Sequence, residues 1–166
     1  MAFSLSAKSL SRLEGVHPDL VRVVKQAIGL STQDFMVVEG LRSREAMCVN
    51  WGKGRTADQC VAVNVPAKFA QPGLDKVTWL RDPFNSNHGV RADGFGHAVD
   101  LGALVGGKYD GDSLPAYDAI AKAMFAAARA EGVTLRWGGD WDGDGTPHEK
   151  GESDAAHFEL PAGHAT

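Results

Sequence analysis

Two short apolar stretches constrain this chain more than any other feature: His97-Ala98-Val99-Asp100-Leu101 and Ala156-His157-Phe158-Glu159-Leu160. Each is too short for a helix that stands alone; the first reads as a buried strand and the second as a strand candidate. Between them, Tyr117 to Glu131 reads as an Ala-rich helix, with Tyr117, Ile120, Ala121, Met124 and Ala128 on one face and Gly132 as the stop. A third strand candidate, Val133 to Trp137, follows that helix, and an acidic Gly-rich segment separates it from the second stretch.

The N-terminal part carries helix signals. A short helix is expected from about Ala7 to Leu13 with Ser6 as cap, and Gly15 separates it from an amphipathic helix. That second helix opens at Pro18, places Leu20, Val21, Val24, Ala27 and Ile28 at helical spacing, and is expected to end at Gly29. Phe35 to Val38 reads as a strand running into Glu39-Gly40-Leu41-Arg42, which puts Arg42 at or just beyond its end. From residue 52 to 87 the pattern loosens around Pro66, Pro72 and Pro83, with Lys76 to Leu80 as a brief strand candidate. This stretch is a candidate substrate-facing insertion. Helices and strands are mixed without regular alternation or repeats, so the fold class is α+β, in one domain over residues 1–166.

Composition excludes several functions. With 43% hydrophobic and 23% charged residues and no apolar run of membrane-spanning length, a soluble protein without a membrane role is expected. The net charge of -4 and scattered Lys and Arg speak against nucleic-acid binding. Met1 to Ser6 shows no secretory signal, so the chain is expected in the cytoplasm where it is made. Cys48 and Cys60 lie outside any CxxC pair and read as ordinary thiols, with a disulfide as the alternative.

A hydrolytic zinc site needs three protein ligands, an open position for water and a carboxylate to take the water proton. Ser86-Asn87-His88-Gly89-Val90-Arg91-Ala92-Asp93-Gly94-Phe95-Gly96-His97-Ala98-Val99-Asp100 and Asp154-Ala155-Ala156-His157-Phe158-Glu159-Leu160 offer these groups. The two segments resemble the M15 peptidase family and its pattern SxHxxGxAxD followed by [DE]xxHFE. Gly96, Ala98 and Asp100 fit the end of the first motif, and His157-Phe158-Glu159 with Asp154 fit the second. The resemblance implies a small antiparallel sheet flanked by helices, with a zinc cleft on the sheet. It implies Asp100 and His157 as zinc ligands and Asp154 as general base. Arg42 lies where the family tends to place an arginine near the scissile carbonyl, although an ion pair with Glu39 or Asp100 is the competing role.

The first ligand is where the chain departs from the family. The family register places a histidine seven residues before the aspartate, where this chain has Asp93. Ser86-Asn87-His88 keeps the SxH part, and His88 lies 100 − 88 = 12 residues before Asp100, so an insertion of 12 − 7 = 5 residues restores the set. His88 is the favoured third ligand because neutral imidazole suits zinc. Asp93 and His97 are rivals, but strand alternation turns His97 to the face opposite Asp100, where it reads as an outer or surface group. Glu159 is expected to orient a ligand or an arginine through hydrogen bonds. Trp137 and Trp141 are candidates for the cleft wall or for core packing.

Asp140-Trp141-Asp142-Gly143-Asp144-Gly145-Thr146 has the DxDxDG spacing of a calcium loop, here drawn as 140–152. Its twelfth position is Gly151 rather than Glu, so Glu152 or Asp154 would have to close it. The combined expectation is a monomeric Zn2+ peptidase, with Ca2+ as a second cation, acting on peptidoglycan stem peptides. The resemblance is strongest to phage L-alanyl-D-glutamate endopeptidases, which implies an endolysin made in the host bacterial cytoplasm. A D,D-carboxypeptidase or dipeptidase, and an inactive wall-binding domain, are the alternatives.

Overall fold

His17 and Pro18 start the helix that organises the core. In the computed structural model, which describes residues 2–164, the His17 side chain accepts the Asp19 amide at the head of α2 (Pro18–Leu30). Pro18 occupies the first turn, where its missing N–H costs nothing. A short α1 (Ala7–Ser11) precedes α2, capped by Ser6. Gly29 does not stop α2, which runs one residue further.

After α2 come β1 (Phe35–Glu39), α3 (Arg44–Gly52), α4 (Ala57–Val61) and a single 3-10 turn, Ala67–Phe69. The chain then forms β2 (Ala98–Val105), β3 (Lys108–Asp110), α5 (Leu114–Glu131), β4 (Arg136–Trp137) and β5 (His157–Glu159). All strand pairings are antiparallel, in the order β1-β2-β5-β4, with β3 pairing the far end of β2. The fold is α+β, as the mixed pattern predicts. No helix among the described residues is long and apolar enough to cross a membrane.

Alternation divides the sheet into two faces. Val37, Val99, Leu101 and Phe158 are fully buried with Leu20, Val23 and Val24 of α2 and Ile120 and Met124 of α5. Each such side chain stabilises the fold by roughly 1.5–3 kcal/mol. Asp100, His157 and Glu159 occupy the alternate positions and face the other way. Gly132, at φ 68°, closes α5 in a left-handed conformation that a side chain would strain.

Residues 52–87 hold more structure than their loose pattern suggests. Cys60, Val65, Cys48 and Trp51 form a second small core against Phe69 and Phe84. Both cysteines are buried and unbridged. The Lys76 to Leu80 segment is irregular rather than a strand, and α3 and the β2–β3 hairpin are additions to the sequence reading. The hairpin turns on Gly106 and Gly107, both at positive φ, as a two-residue turn requires.

Candidate active site

Three strands bring three polar side chains into one row. β-Pairing sets Asp100 opposite His157 on one side, and a register shift in β1 sets Glu39 opposite Asp100 on the other. His88 reaches the row from a loop that is fixed at both its backbone and its ring. The Arg42 amide donates to the His88 carbonyl at 2.8 Å, and His88 Nδ1 lies 2.8 Å from the Gly40 carbonyl. Gly40 must lack a side chain, because a Cβ there would lie 2.1 Å from the Arg12 carbonyl.

His88 Nε2, Asp100 Oδ1 and His157 Nδ1 converge at 3.1 to 3.3 Å from one another. The outer nitrogen of each ring faces an acceptor: Gly40 O for His88, and Glu159 Oε2, at 2.9 Å, for His157. When those acceptors take the ring protons, the lone pairs of both inner nitrogens are free to point at the junction with Asp100. Two imidazoles, each oriented from behind, and a carboxylate fit a divalent metal. Asn87 Nδ2 (2.6 Å) and Arg136 Nη1 (2.8 Å) hold Glu159 in turn.

The charges are arranged for that purpose. Burial disfavours the Asp100 carboxylate, yet hydrogen bonds from His157 and His88 outweigh it and hold the carboxyl well below its ordinary range. Burial likewise opposes charge on His157, but its bonds to Asp100 and Glu159 push it up to about 9. Negative groups thus flank the His157 ring on both sides, a setting that also suits a divalent cation.

A cleft of about 460 Å³ opens over the row, lined by Arg42, His88, Asp100, Trp141, Asp154 and His157. Val77, Thr78 and Leu80 of the 52–87 stretch form part of its wall, so that stretch does border the cleft. Asp154 is exposed at the rim. Partial desolvation by the walls, reinforced by nearby Asp100, pushes its carboxyl above the usual range, against the pull of His157, His88 and Arg42. Arg42 makes a two-point ion pair with Glu39, the competing role, and also lines the cleft.

The sequence profile of the phage L-alanyl-D-glutamate peptidases matches residues 1–70 and 67–161. The chain belongs to this family. The L-alanyl-D-glutamate peptidase of Escherichia phage T5 is 30% identical over 163 residues, covering 96% of this chain and 99% of the relative. The crystal structure of the Serratia marcescens L-Ala D-Glu endopeptidase ChiX superposes with a TM-score of 0.61 at 30% identity, covering 96% of this chain and 91% of that one.

Within this family member the rival first ligands lie elsewhere. His97 Nε2 bonds Asp93 Oδ2 at 2.7 Å, and neither side chain joins the His88 group, a correction to the outer-shell reading of His97. Alternation is the cause, since His97 shares its side of the sheet with core-facing Val99. Trp137 is buried, donates to the Ala155 carbonyl at 2.8 Å and stacks on Phe158, whereas Trp141 lines the cleft beside His157.

Asp140, Asp142 and Asp144 do gather, with carboxylate oxygens within 4.8 Å of one another. Glu152 is not in that group: its Oε1 accepts the Trp141 amide at 2.7 Å, and its buried Oε2 has no partner among the described residues. Thr146 donates its amide to Asp144 at 2.7 Å. Gly138 is a functional position that the sequence reading missed. A Cβ there would lie 2.3 Å from the Asp154 carbonyl, so glycine lets Asp154 sit where it does. Asn87 was missed too, as an unassigned letter inside the SxH motif.

Proposed function

We propose that this chain is a zinc-dependent endolysin of phage or prophage origin, which hydrolyses the L-alanyl-D-glutamate bond of peptidoglycan stem peptides. The observation that carries the reading is the convergence of His88, Asp100 and His157 beneath a cleft that also holds Asp154 and Arg42. A His, His, carboxylate set is characteristic of catalytic zinc, which leaves a position open. When bound, zinc supplies Lewis acidity that polarises the scissile carbonyl and acidifies a water molecule.

The chain's own residues carry the remaining steps. Asp154 takes the proton of the attacking water and returns it to the departing amine of D-glutamate. Its raised affinity for protons suits both halves of that exchange. Arg42 is held by Glu39 through Nε and Nη2, which leaves Nη1 to donate to the oxyanion that develops on the alanyl carbonyl. Trp141, Val77 and Leu80 shield the reacting groups from bulk water.

Calcium is the second cation of this reading, held by Asp140, Asp142 and Asp144. Glu149 feels their crowding: repulsion, from Asp144 first, pushes its carboxyl above the ordinary range. A cation there would relieve that repulsion and order the segment leading to Asp154. The decisive experiment is mass spectrometry of purified peptidoglycan after digestion. New N-terminal D-glutamate is the expected product, and release of terminal D-alanine alone would assign a D,D-carboxypeptidase instead. Asp154→Ala should bind zinc at the wild-type stoichiometry and turn over about 10²–10⁴-fold more slowly; wild-type cleavage by that variant would remove Asp154 from the mechanism.

A further inference from the structure

A second set of histidines and carboxylates lies outside the cleft, at the head of α2. His97 Nε2 is 2.7 Å from Asp93 Oδ2, and His17 Nε2 is 3.8 Å from the same oxygen. One ligand atom from each of the three residues falls within a 4.8 Å span. The His17 side chain is only 2% exposed, and its Nε2, aimed at Asp93, has no hydrogen-bond partner among the described residues. A buried polar nitrogen left without a partner is costly, and its native occupant is expected to be an ion or a water.

We propose that His17, Asp93 and His97 form a second metal site, which holds a zinc-class divalent ion as a structural staple. Two imidazoles and one carboxylate select a borderline transition ion and disfavour calcium or magnesium, which take oxygen ligands. The ligands are anchored beforehand. The Phe95 amide occupies Asp93 Oδ1 at 3.1 Å and leaves Oδ2 for the ion. The His17 amide donates to the Gly96 carbonyl at 2.9 Å, which fixes the start of α2 against the same loop.

Binding requires a shift of the ring protons and the release of the Asp19 amide from His17 Nδ1. Without metal, His17 Nδ1 accepts the Asp19 amide, so the ring proton sits on Nε2. With metal at Nε2 the proton moves to Nδ1, which faces Asp19 Oδ2 at 3.9 Å. His164 already holds that oxygen at 2.8 Å and packs edge-on against His17. A cavity of about 390 Å³, lined by Asp93, His97 and His164, gives the ion an entry path and space for a water ligand. Asp93 lies in the segment that lengthens the spacing between His88 and Asp100, so the extra residues bring their own anchor to α2.

The test is zinc stoichiometry by calorimetry on chelator-stripped protein, with calcium held in excess to occupy the acidic loop. Wild-type protein should bind two zinc ions, His157→Ala one, and His157→Ala combined with His97→Gln none. A wild-type stoichiometry of one, abolished by His157→Ala, would overturn the proposal. If His157→Ala does not fold, His97→Gln and Asp93→Asn alone decide it. Each should drop the count from two to one and abolish the zinc-induced rise in melting temperature that the second ion adds. An unchanged count in both would overturn the site.

Discussion

The two histidine–carboxylate clusters flank the first turns of one strand, since His97 and Asp100 stand three residues apart at the head of β2. They use the same side-chain types, the cleft set at 3.1 to 3.3 Å and the α2 set less evenly, at 2.7 and 3.8 Å from the Asp93 oxygen. In the cleft cluster an acceptor seats the outer nitrogen of each ring at 2.8 and 2.9 Å, and Asp154 and Arg42 stand beside it. In the α2 cluster the corresponding acceptor lies at 3.9 Å, and Asp93 is the only carboxylate among the described residues lining the adjoining cavity. Ligand sets alone therefore do not distinguish chemistry from scaffolding. What sets the cleft cluster apart is the exposed Asp154 carboxylate beside it and the open cleft above it.

Breaking one cluster at a time is the strongest check on that contrast. His157→Ala should lower peptidoglycan hydrolysis by at least about a thousandfold, the several kcal/mol that metal polarisation supplies. His97→Gln should cost no more than about twofold. Similar losses from both would erase the distinction. Gly138→Ala should next cost about a hundredfold in kcat at unchanged zinc stoichiometry, because the new methyl group displaces Asp154 by roughly an ångström. A wild-type rate would show that the base tolerates the shift.

Glu159→Gln probes the backing of His157. Competition with a chromophoric chelator should show roughly 10–100-fold weaker zinc binding in the cleft cluster and none of that loss at His17. The smallest effect is a shift in pH profile. The base must be ionised, so kcat/KM falls as pH drops through the Asp154 pKa. Arg42 favours the ionised form, so Arg42→Gln should move this acid limb to higher pH. A shift to lower pH, or none, would mean that the limb belongs to another group.

Legibility in the sequence followed the range of the contacts. Asp100, His157 and Glu159 were readable because each sits in a short run whose strand character is local and whose spacing is ungapped. His88 required reading through the longer loop of residues 89–96, which folds outward on its own bonds, such as the Arg91 amide to the Phe95 carbonyl at 2.8 Å. Helix α3 was illegible because it buries only Met47, Cys48, Trp51 and Gly52, a weak stripe, and owes its start to the Ser43 cap. The β2–β3 hairpin was hidden because its turn is a bare Gly pair between short arms. Gly138 and His17 matter only through partners distant in sequence, Asp154 and Asp93, and no local pattern announces such contacts.

The cross-strand pairing of Asp100 with His157 also bears on how the enzyme is made. These partners are separated by 57 positions, and α5 folds between them. An unfolded chain has to close that long loop before it can present both side chains, so on the proposed metal reading capture of the ion is a late event in folding. Metal supply then acts on the folding equilibrium as well as on the reaction: an ion that binds the closed chain and not the open one withdraws molecules from the unfolded pool in proportion to its concentration. Under the proposed zinc reading, scarcity of the metal would accordingly leave less of the chain folded as well as less of it active.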